Sequence, residues 1–232
     1  MINPEFKPSY FHPYFFIRRG LIGKVTEYSQ ELKGKLLDFG CGSKPYKALF
    51  GHTTEYVGVD YENPGHSHVN EQIDIFYDGK SIPCETSYFD SVLSSEVFEH
   101  IFNLEEVLGE LHRVLKPGGT LLITCPFVWK EHEVPHDFAR YTHFALQHLF
   151  EKNGFRIKTL DKSGNFVEVL WQLKVLYFYD NWYRKVANIP VVNTIAKTFF
   201  IALPNVIGAA LSRILPVNKQ FYLNNVIVAE KC

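Results

Sequence analysis

Leu36-Leu37-Asp38-Phe39-Gly40-Cys41-Gly42-Ser43 is the stretch on which the reading of this chain turns. Lys35 to Phe39 is short and apolar apart from one acid, and it breaks at once into Gly-x-Gly. A buried strand followed by a tight turn fits that order. A glycine turn lets a ligand approach the backbone closely, and a following helix would offer its free N–H groups to it. Further on, Tyr56-Val57-Gly58-Val59-Asp60 reads as a second strand ending in an acid, a residue suited to accept hydrogen bonds from both hydroxyls of a ribose. In an open parallel sheet these two loops meet at the carboxyl edge, where ligands bind. A Gly-x-Gly by itself fits a plain tight turn equally well.

The pattern continues outward from that stretch. Ile73 to Phe76, Phe89 to Ser94 and Thr120 to Thr124 read as further strands, and Phe155 to Leu160 and Asn225 to Glu230 as the last two. Short β-rich apolar runs separated by helices or loops indicate a parallel sheet covered on both faces. Leu104, Val107, Leu108, Leu111, Val114 and Leu115 repeat at helical spacing, and Pro117-Gly118-Gly119 is expected to stop that helix. A second helix is expected between Thr142, an N-cap, and Asn153-Gly154, a C-cap. Phe15 to Leu32 is loosely helical.

The 232 residues suit one domain with a single core and room for a cap. A net charge of −1 argues against a broad nucleic-acid footprint. Cys41, Cys84, Cys125 and Cys232 form no CxxC pair, so reduced thiols in a cytoplasm are the simpler reading. Met1 to Arg19 holds no apolar signal-peptide run.

Taken together, four segments resemble class I S-adenosylmethionine-dependent methyltransferases, and the type 11 subgroup in particular. They are residues 36 to 43, residues 56 to 60, Phe-Asp-Ser-Val-Leu-Ser-Ser-Glu-Val-Phe-Glu-His (89 to 100) and Leu-His-Arg-Val-Leu-Lys-Pro-Gly-Gly-Thr-Leu-Leu-Ile (111 to 123). The resemblance implies an α/β fold, a Rossmann-like sheet of seven strands with an antiparallel last strand. It implies S-adenosylmethionine as cofactor, with Asp38, Gly40 and Gly42 around its methionine end, Asp60 on the ribose and Tyr61 beside the adenine. Asp78 matches the acid placed near the adenine amine, with Asp74 as the competing choice. Ser95 and Glu96 stand where the fourth strand opens onto the cleft. Two departures stand out: Lys44 replaces the family's third glycine, and the stretch between Asp60 and Ile73 is too short and too rich in Gly, Pro and His for the usual helix.

At the acceptor end, Glu96, Glu99 and His100 are spaced to share one side if the stretch is helical. Two carboxylates and an imidazole suit Mg2+ or Mn2+. The Glu-x-x-Glu-His pattern resembles the metal site of ubiquinone-pathway O-methyltransferases and small-RNA 2′-O-methyltransferases, where a histidine after the fifth strand completes the set. His136, in Pro135-His136-Asp137-Phe138-Ala139-Arg140-Tyr141, is expected to fill that place. The competing reading has no metal: Glu99 caps or pairs, His100 orients substrate, and His136 is the catalytic base. Arg140 and Tyr141 anchor the loop or bind substrate, the loop role being preferred. His66 and His68 form a local pair, and His132 is read as a surface or packing residue.

Residues 166 to 216 read as a helical insertion into a single 1–232 domain, serving as a cap, a membrane contact or a dimer element. Pro204 is expected to split its apolar run into pieces too short to span a bilayer. The expected reaction is O-methylation of a small-molecule, glycan or lipid-linked acceptor, by a cytoplasmic or peripherally bound protein that is a monomer or homodimer. Two rivals share part of the pattern. A nicotinamide-dependent oxidoreductase should show Gly-x-Gly-x-x-Gly, where this chain has Pro45 at the last position. A non-catalytic S-adenosylmethionine-binding module would keep the turn but not the acceptor-end residues Glu96, Glu99, His100 and His136.

Overall fold

The strand Lys35–Phe39 is buried along almost its whole length, as a central strand covered on both faces must be. It belongs to a computed structural model that describes residues 6–61 and 72–232. His66, His68 and most of the stretch between Asp60 and Ile73 lie outside the described residues. In chain order the regular elements are α1 (Phe15–Tyr28), β1 (Lys35–Phe39), β2 (Glu55–Tyr61), β3 (Ile75–Tyr77), β4 (Phe89–Ser95), α2 (Leu104–Val114), β5 (Leu115–Pro126), α3 (His143–Lys152), β6 (Phe155–Ser163), α4 (Phe166–Phe178), α5 (Arg184–Val186), α6 (Pro190–Lys197), α7 (Leu203–Ile214) and β7 (Asn224–Lys231).

Among the described residues the strands form one seven-stranded sheet in the order β3-β2-β1-β4-β5-β7-β6. The first five are parallel neighbours, and Asp38 stands level with Gly58 on one side and Leu93 on the other. The last strand is antiparallel, so the sheet is the expected Rossmann-like one. The order reverses at β1, between β2 and β4, which puts the turn after β1 at the switch point where such sheets bind ligands.

Chain division falls into two compact units. Among the described residues the first comprises Lys24–Asp161 and Asn225–Cys232. Its core joins Leu37, Val92, Leu121, Ile123 and Ile227 from the sheet to Leu104, Val107, Leu108, Leu111 and Val114, the predicted stripe of α2. The helix stops one residue earlier than the stripe, at Val114, because the chain turns extended at Leu115 (ψ 138°) and Pro117-Gly118-Gly119 already lies within β5. Thr142 caps α3 as expected, its side chain accepting from the Ala145 N–H.

The second unit, Glu5–Gly23 with Lys162–Asn224, takes in more than residues 166 to 216, since the N-terminal segment belongs to it. A Cβ at Gly208 would stand 2.5 Å from Trp171 Cγ and 2.8 Å from Phe16 Cζ, so the absence of a side chain there lets α7 lie directly on α4 and the start of α1. Pro204 does not split the apolar run. Pro190 to Ile214 is one helical rod of 25 residues. Proline offers no N–H and crowds the carbonyl one turn back. The rod absorbs this by widening to a π-turn over Thr198–Ala202, just before the proline.

Gln172 is fully buried in this unit. Its Oε1 accepts from the Phe16 and Ile17 N–H groups at 3.1 and 3.3 Å, and its amide donates to the Pro13 carbonyl at 2.7 Å. A side chain remote in sequence thus caps the first turn of α1, where N–H groups have no helical partner. Gln172→Met keeps the volume but leaves those donors unsatisfied. We expect it to lower unfolding free energy by about 1–3 kcal/mol in urea titrations followed by circular dichroism, with the slope unchanged.

Candidate active site

The turn after β1 is pinned to the end of β2. Gly40 and Cys41 donate to the Val59 carbonyl at 2.8 and 3.1 Å, and Gly42 donates to Asp60 Oδ2 at 2.7 Å. Asp60 Oδ1 accepts from its neighbour Tyr61 N–H at 2.7 Å. The two loops predicted to meet do meet. Gly40 (φ +73°) and Gly42 (φ +44°) both lie in the left-handed region that favours glycine. The helix expected to follow is reduced to a short 3-10 turn, Lys47–Phe50, because Pro45 intervenes. It therefore offers no helix N-terminus to a ligand, and the N–H groups of Gly40, Cys41 and Gly42 are already engaged within the turn.

Lys44, in place of the third glycine, itself adopts a left-handed conformation (φ 52°). The backbone keeps the shape a glycine would take, at the cost of holding a bulky residue there. Its side chain is buried and runs over Gly58, where a Cβ would come within 2.3 Å of Lys44 Cε, to pair with Asp74 Oδ2 at 2.5 Å. Asp74 also accepts from Gly58 N–H at 2.6 Å. Asp78 instead accepts from the Lys80 and Ser81 N–H groups, closing an exposed turn. Of the two acids proposed for the adenine side, one is thus occupied by Lys44 and the other by a turn. Tyr61 stands half exposed at the end of β2. Asp38 is buried beneath the turn, accepts from Tyr56 Oη at 2.5 Å, and has its pKa pushed up to about 7 by burial.

Across the switch point, a Cβ at Gly40 would stand 2.3 Å from Val97 Cγ2, so the loop after β4 lies directly on the glycine turn. That loop is not an α-helix. Glu96 takes a left-handed conformation (φ 57°), and Phe98–His100 form a single 3-10 turn. Ser95 Oγ is 2.8 Å from Thr124 Oγ1, which donates to Glu96 Oε1 at 2.9 Å, a hydroxyl-to-carboxylate chain joining the carboxyl ends of β4 and β5.

Glu99 is fully buried, and neither of its oxygens has a hydrogen-bond partner. Burial, with the charge of Glu96 added to it, holds its carboxyl well above the usual range. Two imidazoles face its Oε1: His100 Nε2 at 3.7 Å and His132 Nε2 at 3.9 Å. The other ring nitrogens are tied back. His100 Nδ1 lies 2.7 Å from the His136 carbonyl, and His132 Nδ1 lies 3.2 Å from Asp137 Oδ2. Asp137 is in turn gripped by both terminal nitrogens of Arg140, at 2.5 and 2.7 Å, and its pKa is held low by that guanidinium. Burial and the neighbouring His100 lower the His132 pKa.

One donor atom each from Glu99, His100 and His132 gather within 4.8 Å of one another. The side chains that gather differ from the expected set in two respects. His136 reaches the cluster through its backbone carbonyl, and His132, read from sequence as a packing residue, supplies the imidazole. The available signal for His132 was Asp137, five residues on. Glu96 is held by Thr124 beside the trio. Arg140 is a loop anchor, as preferred. A cleft of about 570 Å3 at the opposite, amino ends of β2 and β4, lined by Glu55, Tyr56, Asp74 and Phe89, contains none of Glu99, His100 and His132.

A seven-stranded Rossmann-like sheet with a glycine turn at its switch point and an acid near the end of β2 is the arrangement of a class I S-adenosylmethionine-dependent methyltransferase. The chain belongs to the methyltransferase-domain family, which it matches over residues 15–160. It is 33% identical over 125 residues to the mitochondrial ubiquinone biosynthesis O-methyltransferase of Rattus norvegicus, a match covering 47% of this chain and 36% of that protein. The chain thus matches about a third of the length of such curated relatives. Among solved structures, an S-adenosylmethionine-dependent methyltransferase from Archaeoglobus fulgidus is similar at 20% identity and TM-score 0.55, covering 92% of this chain and 94% of that one. The cyclase SpnF is similar at 16% identity and TM-score 0.60, covering 97% and 85%. At these identities the likeness concerns the fold, and the SpnF match illustrates that a fold alone does not name a reaction.

Asp38 yields a pH test. A carboxyl whose pKa is raised from 3.8 to about 7 on folding binds its proton more tightly in the folded state. Its contribution to stability is therefore present below the unfolded pKa and is lost as pH rises through about 7. Asp38→Asn cannot ionise. Relative to the parent protein, its melting temperature should rise by several degrees between pH 5 and pH 8 in scanning fluorimetry. A difference that stays level across that range would contradict the assignment.

Proposed function

We propose that this protein transfers the methyl group of S-adenosylmethionine to a hydroxyl oxygen, with a divalent cation held by Glu99, His100 and His132. One observation carries the reading. Two imidazoles, each fixed through Nδ1, turn Nε2 onto one carboxylate oxygen that is fully buried and lacks a hydrogen-bond partner. Separations of 3.7 and 3.9 Å suit atoms that share one ion at about 2.0–2.2 Å each. The Nδ1 partners fix the tautomer and ring angle, as second-layer groups do around bound metals. Nitrogen and oxygen donors together fit Mn2+ or Zn2+ at least as well as Mg2+.

The cofactor supplies an already activated methyl group, and a divalent ion, when bound, supplies charge that lowers the pKa of an acceptor hydroxyl. The chain's part is placement and proton handling. Asp60 and the side-chain-free turn at Gly40 and Gly42 hold the adenosyl and methionine portions, with Asp38 beneath. Val97, pressed on Gly40, brings the acceptor-side loop alongside. Glu96, aligned by Thr124, takes the proton as the new C–O bond forms and the C–S bond breaks. The acceptor class we favour is a small hydroxylated molecule, a glycan or a lipid-linked compound. The ubiquinone O-methyltransferase similarity supports oxygen as the acceptor atom.

His132 and His136 separate the possible ligand sets. Calorimetry with Mn2+ should show one site in the parent protein, a loss of at least about tenfold in affinity for His132→Ala, and near-parental affinity for His136→Ala, which keeps its carbonyl. Chelation should abolish transfer to a catechol or sugar hydroxyl while S-adenosylhomocysteine still binds. Full turnover in EDTA, or a greater loss in His136→Ala, would count against the metal and return the residues to base and orienting roles.

A further inference from the structure

Charge is divided unevenly along this chain. The total is −1, yet the second unit carries ten lysines and arginines and only three aspartates and glutamates. Between Asp180 and Glu230 there is no acidic residue, while Arg184, Lys185, Lys197, Arg213 and Lys219 all fall there. Within this acid-free stretch lies the 25-residue Pro190–Ile214 rod. Its inner side is committed to the unit: Ala196, Ile201, Ala202, Gly208 and Ala209 are buried. Its outer side shows large apolar groups to solvent, led by Val191, Ile195, Phe199, Leu203, Val206 and Ile214, with Ile195 60% and Phe199 65% exposed. Just ahead of the rod, Tyr177 and Trp182 are also exposed.

We propose that this outer face seats on an anionic lipid bilayer, with the rod lying in the plane of the interface. An apolar stripe flanked by cations and preceded by exposed Trp and Tyr is the chemistry of an interfacial helix. By length the rod exceeds the roughly 20 residues needed to cross. Crossing would strip its inner side. Asn205, fully buried, donates to the Tyr10 and His12 carbonyls at 2.8 and 3.0 Å and so fastens the rod to the N-terminal segment. A second copy is a poorer occupant. Apposing two such faces brings together cations from stretches that hold no acid to neutralise them, whereas anionic headgroups answer that charge.

The test is flotation of the full chain with phosphatidylcholine vesicles prepared with and without phosphatidylserine, alongside light scattering without vesicles. The parent protein should float with the phosphatidylserine vesicles, release as salt is raised, and stay behind with phosphatidylcholine alone. Ile195→Asp with Phe199→Asp should lower partitioning by about tenfold or more, and Lys185→Glu with Arg213→Glu should do the same through charge. Melting temperature and S-adenosylhomocysteine affinity report whether each variant is folded. Both residues of the second pair are exposed, so it remains informative if the first does not fold. Absence of flotation, equal binding to neutral vesicles, or charge variants that float like the parent would overturn the proposal. A dimer that does not float and is split by Phe199→Asp would overturn it in favour of a second copy. None of these readouts depends on turnover, so the methyl-transfer reading stands or falls separately.

Discussion

The contact between Gly40 and Val97 is the constraint on which the rest of the site depends. No side chain fits at Gly40, and its left-handed backbone is cheap only for glycine. The loop after β4 can therefore press onto the turn after β1. Three residues beyond Val97 the chain has already delivered Glu99 and His100, so the acidic-imidazole cluster stands next to the turn that opens at the switch point. A larger residue at Gly40 would part the two loops even if every other side chain stayed in place. The sheet order makes this economical, because β1 and β4 are direct neighbours and their carboxyl ends are level.

Around that contact the structure spends buried polar groups in two different ways. Asp137 is fully answered: Arg140 grips both oxygens, and the His132 backbone and ring take the remainder. That arrangement stiffens the loop and costs little, since each charge has its partner. Glu99 is the opposite case. It lies at 0% exposure with no hydrogen bond at either oxygen, a state a protein holds only where something else satisfies the group or where its cost is part of the function. The contrast between neighbouring carboxyls separates scaffold from working group.

Lys44 shows how a family pattern can be altered without losing the shape it encodes. The position still takes the conformation of a glycine, and the added side chain is stowed along Gly58 and tied to Asp74. Positions 44 and 58 are therefore linked: the side chain present at Lys44 is accommodated by the one missing at Gly58. Asp74 is the partner of that lysine, held below the usual carboxylate range despite its partial burial by Gly58 N–H and Lys44.

Read alone, the chain determined its sheet, its glycine turn, Asp60, the stripe of α2 and the Thr142 cap, because each depends on neighbours a few residues away. Periodicity and capping are local physics. The convergence of side chains from different loops is not. His132 and His136 are both histidines in one loop, and only the folded path decides which imidazole faces Glu99. Asp137 turns His132 inward, while His136 contributes a carbonyl that no side-chain pattern encodes. Helical spacing at Glu96, Glu99 and His100 suggested a helix, but the left-handed Glu96 forced by the return onto Gly40 leaves one 3-10 turn. Pro204 looked like a break because proline lacks a donor, and a π-turn held by tertiary packing carried the helix through it. In each case a local preference was outweighed by where the rest of the chain had placed its partners, and that information exists only in three dimensions.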